Sequence, residues 1–207
     1  MLKKLLKKII SARIRQEMRE SQRVLRWYFQ GCPVPPPSQI KRRLLKKFAR
    51  RGSAKIFIET GTAGGTTIEK LRKFFQTVFS IEIYKPFADA AKEKFKNDPA
   101  ITIIKGDSGE VLPRILANIK EPVLFWLDGH YSGGGTGKGI TETPIVKEID
   151  SILSHPIKDH VILIDDARCF NGTGDYPELE EFKTMIINKA SELSFEVIRD
   201  IIVLKKK

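Results

Sequence analysis

Cysteine is scarce in this chain of 207 residues: only Cys32 and Cys169 occur, far apart in sequence. No disulfide framework and no zinc-ligand spacing can be built from such a pair, which fits a reducing compartment. Long apolar runs are missing as well, and none approaches the roughly 18 residues that a membrane span needs. The opening stretch MLKKLLKKII has no continuous apolar segment and no small-residue cleavage site, which argues against a secretory signal. Acids are nearly absent from one end. Residues 1–50 hold 15 Lys and Arg against Glu17 and Glu20, leaving 22 basic against 23 acidic side chains elsewhere. The net charge of +12 therefore belongs to an appendage, while the rest is close to neutral. A specific nucleic-acid binder would carry its basic surface on the folded domain, so that class is disfavoured. The expected location is cytoplasmic, with attachment to the inner membrane face left open.

What is present reads as an extension followed by one domain. Leu2, Leu5, Leu6, Ile9, Ile10 and Ile14 recur at helical spacing between lysines and arginines, and Arg23 to Phe29 continues the pattern with aromatics. Gly31 and the run Pro33-Val34-Pro35-Pro36-Pro37 must interrupt a helix, because successive prolines lack N–H donors. The boundary is placed here: 1–32 as a basic amphipathic helical extension, 33–207 as the domain. A helix over 40–51 precedes strands expected at 55–59, 78–83, 101–105, 123–128 and 161–165. Helices are expected between them at about 66–75, 85–96, 108–118 and 144–153. Short apolar strands alternating with helices imply an α/β, doubly wound, mostly parallel Rossmann-like sheet of about seven strands. After a helix at 177–190, the runs Phe195–Ile198 and Ile201–Leu204 are joined by two residues. They predict an antiparallel hairpin at one sheet edge.

In an open parallel sheet, ligands bind at the carboxyl ends of the strands, and the unusual polar residues of this chain fall there. The first strand runs into Glu59-Thr60-Gly61-Thr62-Ala63-Gly64-Gly65, a turn whose glycines allow close approach of backbone to a ligand. Glu59 would repel a pyrophosphate but suits a cationic aminoacyl group, and the dinucleotide glycine spacing fails at Ala63 and Thr66. The plain alternative is an ordinary turn. Glu82, at the second strand end, can accept both ribose hydroxyls of an adenosine, or be a solvated carboxylate. Asp107 with Ser108, after the third strand, can face an adenine amino group, cap a helix, or do both. Asp128, Asp165 and Asp166 gather at the next two strand ends, where unpaired they would repel one another. A hard divalent cation such as Mg²⁺ would resolve this. The alternatives are an ion pair with Arg168 for one aspartate and a helix cap for another. His130 could take a proton from a substrate hydroxyl, or be a surface histidine. His155 and His160 are expected to cap or solvate a loop, and Trp126 to lie in the core. The segment 131–139 holds five glycines and is expected to act as a lid or a flexible connection.

Together these residues resemble the class I S-adenosylmethionine-dependent methyltransferases over roughly 33–207. The resemblance implies that Glu59, Thr60, Gly61, Thr62 and Gly65 hold the aminoacyl end of the cofactor. It gives ribose to Glu82 and adenine to Asp107 and Ser108, with Asp128 beside them. The spacing of Asp128 from Asp165-Asp166 is similar to the metal site of the metal-dependent O-methyltransferases. Catechol O-methyltransferase carries Asn where Asp166 stands; the enzymes that methylate antibiotic sugars look closer, and there His130 would fall on the proposed base. The stretches PVPPP, FIETGTAGGTT, GDSGEVLP, FWLDGHYSGG and HVILIDDARCF also resemble a bacterial group of methyltransferase-like proteins of largely unassigned substrate. The implied activity is Mg²⁺-dependent O-methylation of a sugar, glycan or small polyol hydroxyl. The catalytic pair would be His130 and Asp128, and the metal ligands Asp128, Asp165 and Asp166. The rival is a non-catalytic binding or accessory protein of the same fold. Residues 1–30 could lie on anionic lipid, pack against a partner subunit, bind RNA nonspecifically, or form a solvated arm on their own domain. Self-association is left open.

Overall fold

The computed structural model describes residues 2–129 and 143–207, with side chains from residue 14 onward. A leading helix α1 (Leu2–Phe29) is followed by α2 (Ser38–Arg51) and then by alternating strands and helices. These are β1 (Ile56–Thr60), α3 (Thr66–Leu71), β2 (Thr77–Glu82), α4 (Lys85–Phe95), β3 (Ile101–Lys105) and α5 (Ser108–Leu116). β4 (Val123–Leu127), α6 (Ile145–Ser154), β5 (Val161–Ile164), α7 (Leu179–Lys189), β6 (Leu193–Ile198) and β7 (Ile201–Lys206) complete the order.

The strands form one sheet in the order β3-β2-β1-β4-β5-β7-β6. β1 to β5 pair in parallel, and β7 enters antiparallel between β5 and β6. Every residue of β1 and β4 is buried, as parallel strands covered on both faces require. Alternate residues feed two cores. Ile58, Phe125 and Ile164 face α5, α6 and α7, while Phe57, Trp126 and Leu163 face α2, α3 and α4. Trp126 is a core residue, as expected. The hairpin is also as expected, closed by Arg199 and Asp200, both at positive φ, as the two-residue turn that matches strand twist demands. Its second strand, not its first, pairs with the body of the sheet.

Two differences from the sequence reading have simple causes. The helix expected over 66–75 ends at Leu71 and passes into a tighter turn over Arg72–Phe74, where the Arg72 guanidinium bonds Asp98 and the Phe75 carbonyl. His155 and His160 do not solvate a loop; both are buried. The Val123 N–H donates to His160 Nδ1, His160 Nε2 lies 3.0 Å from His155 Nδ1, and His155 Nε2 lies 3.1 Å from the Leu116 carbonyl. Two neutral imidazoles, each carrying its proton on Nε2, satisfy this chain from end to end. Burial lowers the His160 pKa to about 4, which keeps it neutral.

The C-terminal part of α1 is docked onto the domain. Val24 and Trp27 are buried against Ile40, the Trp27 indole N–H donates to the Pro33 carbonyl at 2.6 Å, and the Arg199 guanidinium lies over the indole ring. Ile14, Met18, Leu25, Tyr28 and Phe29 of the same helix stay exposed.

Candidate functional site at the strand ends

The sheet order reverses at β1, whose neighbours β2 and β4 lead to opposite halves, and such a reversal opens a crevice at the carboxyl ends. Five adjacent parallel strands bring Glu59, Glu82, Asp107, Asp128 and Asp165 to that one edge. Backbone bonds fix the junction of the halves: Asp128 N–H donates to the Thr60 carbonyl and Asp165 N–H to the Leu127 carbonyl. Gly61 has φ +82°, and a Cβ built there would lie 2.4 Å from the Asp128 carbonyl oxygen. Only glycine permits this approach.

On the β1–β3 side the acids are satisfied by nearby backbone and hydroxyls. Glu82 accepts from the Ala63 N–H through one oxygen and from the Tyr84 N–H through the other, both at 2.9 Å. It thereby holds the glycine turn to the start of α4. Glu59 accepts from the Ser80 hydroxyl at 2.9 Å, and Thr62 Oγ1 lies 2.6 Å from that same hydroxyl. Burial pushes the Glu59 carboxyl up to about 8, against the opposing hydrogen bonds from Ser80 and Thr67. Thr60 and Thr62 are buried, with side chains turned to internal bonds, so only their backbone could meet a ligand. Gly65, also at positive φ, starts α3, and a Cβ on Gly64 would meet nothing within 4 Å. Asp107 caps α5 by accepting from the Gly109 N–H at 2.8 Å.

Sequence reasoning missed a carboxylate here. Glu148 of α6 is buried against Ser108 and Thr60, and its Oε1 has no hydrogen-bond partner among the described residues. Burial raises its pKa to about 7, with Asp107 adding to the effect against the hydrogen bonds from Ser108 and Thr60. The signal was in the sequence. Ile145, Glu148, Ile149 and Ile152 share one helical face, so an acid interrupts an apolar stripe.

The β4–β5 side is closed differently. The Lys41 ammonium of α2 donates to Asp165 Oδ2 at 2.6 Å and to Asp166 Oδ1 at 2.8 Å. Arg168 also donates to Asp166 Oδ1 at 2.8 Å and bonds Asp200, so the ion pair weighed for one aspartate forms with Asp166. Asp166 itself sits at φ +55°, an uncommon conformation for an aspartate. Burial would raise its pKa, but the Lys41 and Arg168 hydrogen bonds outweigh it and bring it to about 2. Burial and the neighbouring Asp166 push Asp165 up to about 6, with Lys41 opposing. Burial, then the Asp165 charge, raises Asp128 well above the ordinary carboxylate range. Among the described residues no group of three His, Cys, Asp or Glu side chains is arranged to hold a metal ion. Lys41 bridges two of the three carboxylates expected to hold a cation. It, too, interrupts an apolar stripe, one turn before Leu44 and Leu45 and two before Phe48.

Between α2 and these strand ends lies a cavity of about 180 Å³, lined by Ser38, Lys41, Arg42, Trp126, Asp128 and Asp165 among others. A larger groove of about 490 Å³ runs between α1 and the β3 edge, with Thr66, Phe95 and Asp98 in its lining. His130 and the glycine-rich segment 131–139 lie outside the described residues.

No family model matches the chain, and no curated protein matches its sequence. Solved structures do. The O-methyltransferase TomG from Streptomyces achromogenes, involved in tomaymycin synthesis and solved with SAM, superposes with a TM-score of 0.62 at 17% identity, over 90% of this chain and 88% of that one. An O-methyltransferase from Bacillus cereus in complex with SAH gives 0.62 at 15% identity, over 91% and 90%. The SAH-bound methyltransferase PaMTH1 of Podospora anserina gives 0.60 at 14%, over 95% and 96%. The chain therefore has the seven-stranded α/β methyltransferase fold.

Proposed function

We propose that the protein is an S-adenosylmethionine-dependent O-methyltransferase acting on a hydroxyl of a sugar or small polyol. The observation that carries this reading is the contact of Gly61 with Asp128. It sets an acid-and-glycine turn suited to a cationic aminoacyl group directly beside an acidic, α2-covered cavity that could take an acceptor. The residues present fit the cofactor. Gly64 leaves open space, and the cluster of Glu59, Glu82 and Asp107 favours a cationic nucleoside over a pyrophosphate. When bound, the cofactor supplies a methyl group already activated by its sulfonium charge.

The chain's own residues supply position and field. Glu82 shapes the turn and keeps lone pairs for ribose hydroxyls, while Asp107 and Ser108 face the adenine. Glu59, with its pKa near 8, carries a proton near neutral pH and loses it as a cation arrives. Asp128 orients the acceptor hydroxyl, and His130, two residues on, takes its proton. The Asp128, Asp165 and Asp166 set does not fit Mg²⁺ as it stands, because Lys41 bridges two of the three.

Calorimetric titration with S-adenosylhomocysteine tests the reading. Binding should be micromolar and accompanied by proton release that Glu59→Gln suppresses. No binding would favour a non-catalytic protein of the same fold.

A membrane role for α1 is also proposed, on the observation that Phe29 is 89% exposed on a basic helix that shows Leu25 and Tyr28 as well. Such a helix lies at an anionic interface with its apolar residues inserted. Removing residues 1–30 would take out the buried Val24 and Trp27, so Leu25→Ser with Phe29→Ser is the better test. The wild type should co-sediment with anionic vesicles and not with neutral ones. Equal sedimentation of the double variant would end the idea.

A further inference from the structure

We infer that Lys41 takes the place of a divalent cation: its ammonium, held on α2, neutralises the aspartate cluster and presents a hydrogen-bond donor to the acceptor. The second half of this inference rests on the proposed methyl transfer; the first half does not. Three carboxylates at adjacent strand ends repel one another, and the structure supplies positive charge from the chain itself. Nζ lies 2.6 Å from Asp165 Oδ2 and 2.8 Å from Asp166 Oδ1, and the side chains involved are 14%, 3% and 7% exposed. This is a lysine drawn into a crevice, not a surface lysine near an acid.

The placement is built into the fold. Lys41 shares a helix face with Leu44, Leu45 and Phe48, which pack on the core beside Phe57 and Trp126. The aspartates are anchored with equal care. Asp165 Oδ1 accepts from the Asp166 N–H, and Asp166 Oδ1 receives Arg168 as well as Lys41. Asp200, on the β6–β7 turn, accepts from the Arg168 backbone N–H and from the same Nη1 that bonds Asp166.

Mg²⁺ demands octahedral oxygen ligands at about 2.0–2.1 Å. Nζ occupies the space between the two carboxylates that such an ion would need. An incoming dication would also meet an ammonium and a guanidinium at close range. An ammonium has three N–H donors. Two go to Asp165 and Asp166, which leaves one for an oxygen in the adjoining cavity, on whose wall Lys41 and Asp128 both lie. The substrate class narrows accordingly. A metal recognises two adjacent oxygens by chelating both, whereas a single N–H recognises one. The acceptor need not be a vicinal diol or catechol; one hydroxyl directed between Lys41 and Asp128 suffices.

The test uses the full chain with Mn²⁺ as probe, read by water-proton relaxation in the presence of S-adenosylhomocysteine. The wild type should show no bound Mn²⁺ at millimolar metal. Lys41→Ala, which takes the ammonium away from Asp165 and Asp166, should gain one Mn²⁺ per chain and lose it again when Asp165→Asn is added. Mn²⁺ binding by the wild type that Asp165→Asn abolishes would overturn the inference. So would a Lys41→Ala protein that melts like the wild type and binds no Mn²⁺. If Lys41→Ala does not fold, the wild-type measurement decides alone. Failure of the methyltransferase reading appears separately, as absence of S-adenosylhomocysteine binding, and leaves the Mn²⁺ result intact.

Discussion

Glu82 and Asp165 end strands on opposite sides of the same reversal in sheet order, yet they are satisfied by different means. Glu82 takes two backbone N–H groups from residues 19 and 2 positions away, so its surroundings form as soon as β2 meets the β1 turn. Asp165 takes an ammonium from 124 positions away, delivered by a helix that comes before the whole sheet in sequence. One half of the crevice is thus made of local backbone dipoles, the other of long-range charge pairs. Local backbone binding sites tolerate change on their partner helices; charge-paired sites do not, because removing one partner leaves a buried charge without compensation.

The largest effect is expected where the halves touch. Gly61→Ala forces a side chain at φ +82° into the Asp128 carbonyl. It should cost about 3 kcal/mol or more, lowering the melting temperature by about 6–12 °C. S-adenosylhomocysteine binding should be lost with it. A variant that melts within a degree or two of the wild type and still binds would mean the halves do not meet there.

Next come changes that separate the halves. Glu82→Ala should weaken S-adenosylhomocysteine binding by about 10–100-fold, since it releases the turn and removes an acceptor of charge-assisted bonds. Asp165→Ala should leave that affinity within about twofold while lowering methyl transfer by about 100-fold or more, an effect typical of removing a group that orients charge at a reacting centre. Equal losses of affinity in both would erase the distinction.

The smallest effect is a slope in stability against pH. Glu59 and Glu148 titrate near 8 and 7 in the folded chain, above the 4.5 of an ordinary glutamate. The folded chain therefore keeps protons that the unfolded chain has released, and stability falls as pH rises towards 8. The lowered pKa of His160 acts in the opposite sense only below its ordinary 6.5. Between pH 6.5 and 8 the carboxyls dominate, and the loss should be about 2 kcal/mol. Glu148→Gln should flatten the lower part of that slope in thermal melts across the window. An unchanged slope would place the titrating group elsewhere.

The sheet was legible because buried parallel strands read as short apolar runs, and because a strand end fixes which residue faces the crevice. Glu59, Glu82, Asp128 and Asp165 followed from that alone. Lys41 and Glu148 did not. Each interrupts an apolar helical stripe, which marks a charge that must be buried or paired, but periodicity does not say with whom. The pairing of Lys41 depends on how α2 crosses the strand ends, a tertiary fact with no local signature. The burial of His155 and His160 is not legible for a related reason. Polar residues beside a strand usually meet water, and only the packing of α5 against the β4 and β5 approaches turns them inward.

The insertion of β7 between β5 and β6 has a consequence for how the molecule is made. Asp200 grips Arg168 through its side chain and Ala167 through its backbone carbonyl, so the loop bearing Asp166 is set only once that hairpin has folded back into the sheet. A ribosome-bound chain that has emerged only through β5 holds the glycine turn and Lys41 but not the brace behind Asp166. That half of the pocket therefore depends on the last two strands, whereas the half around the glycine turn is closed by bonds made before them in the chain.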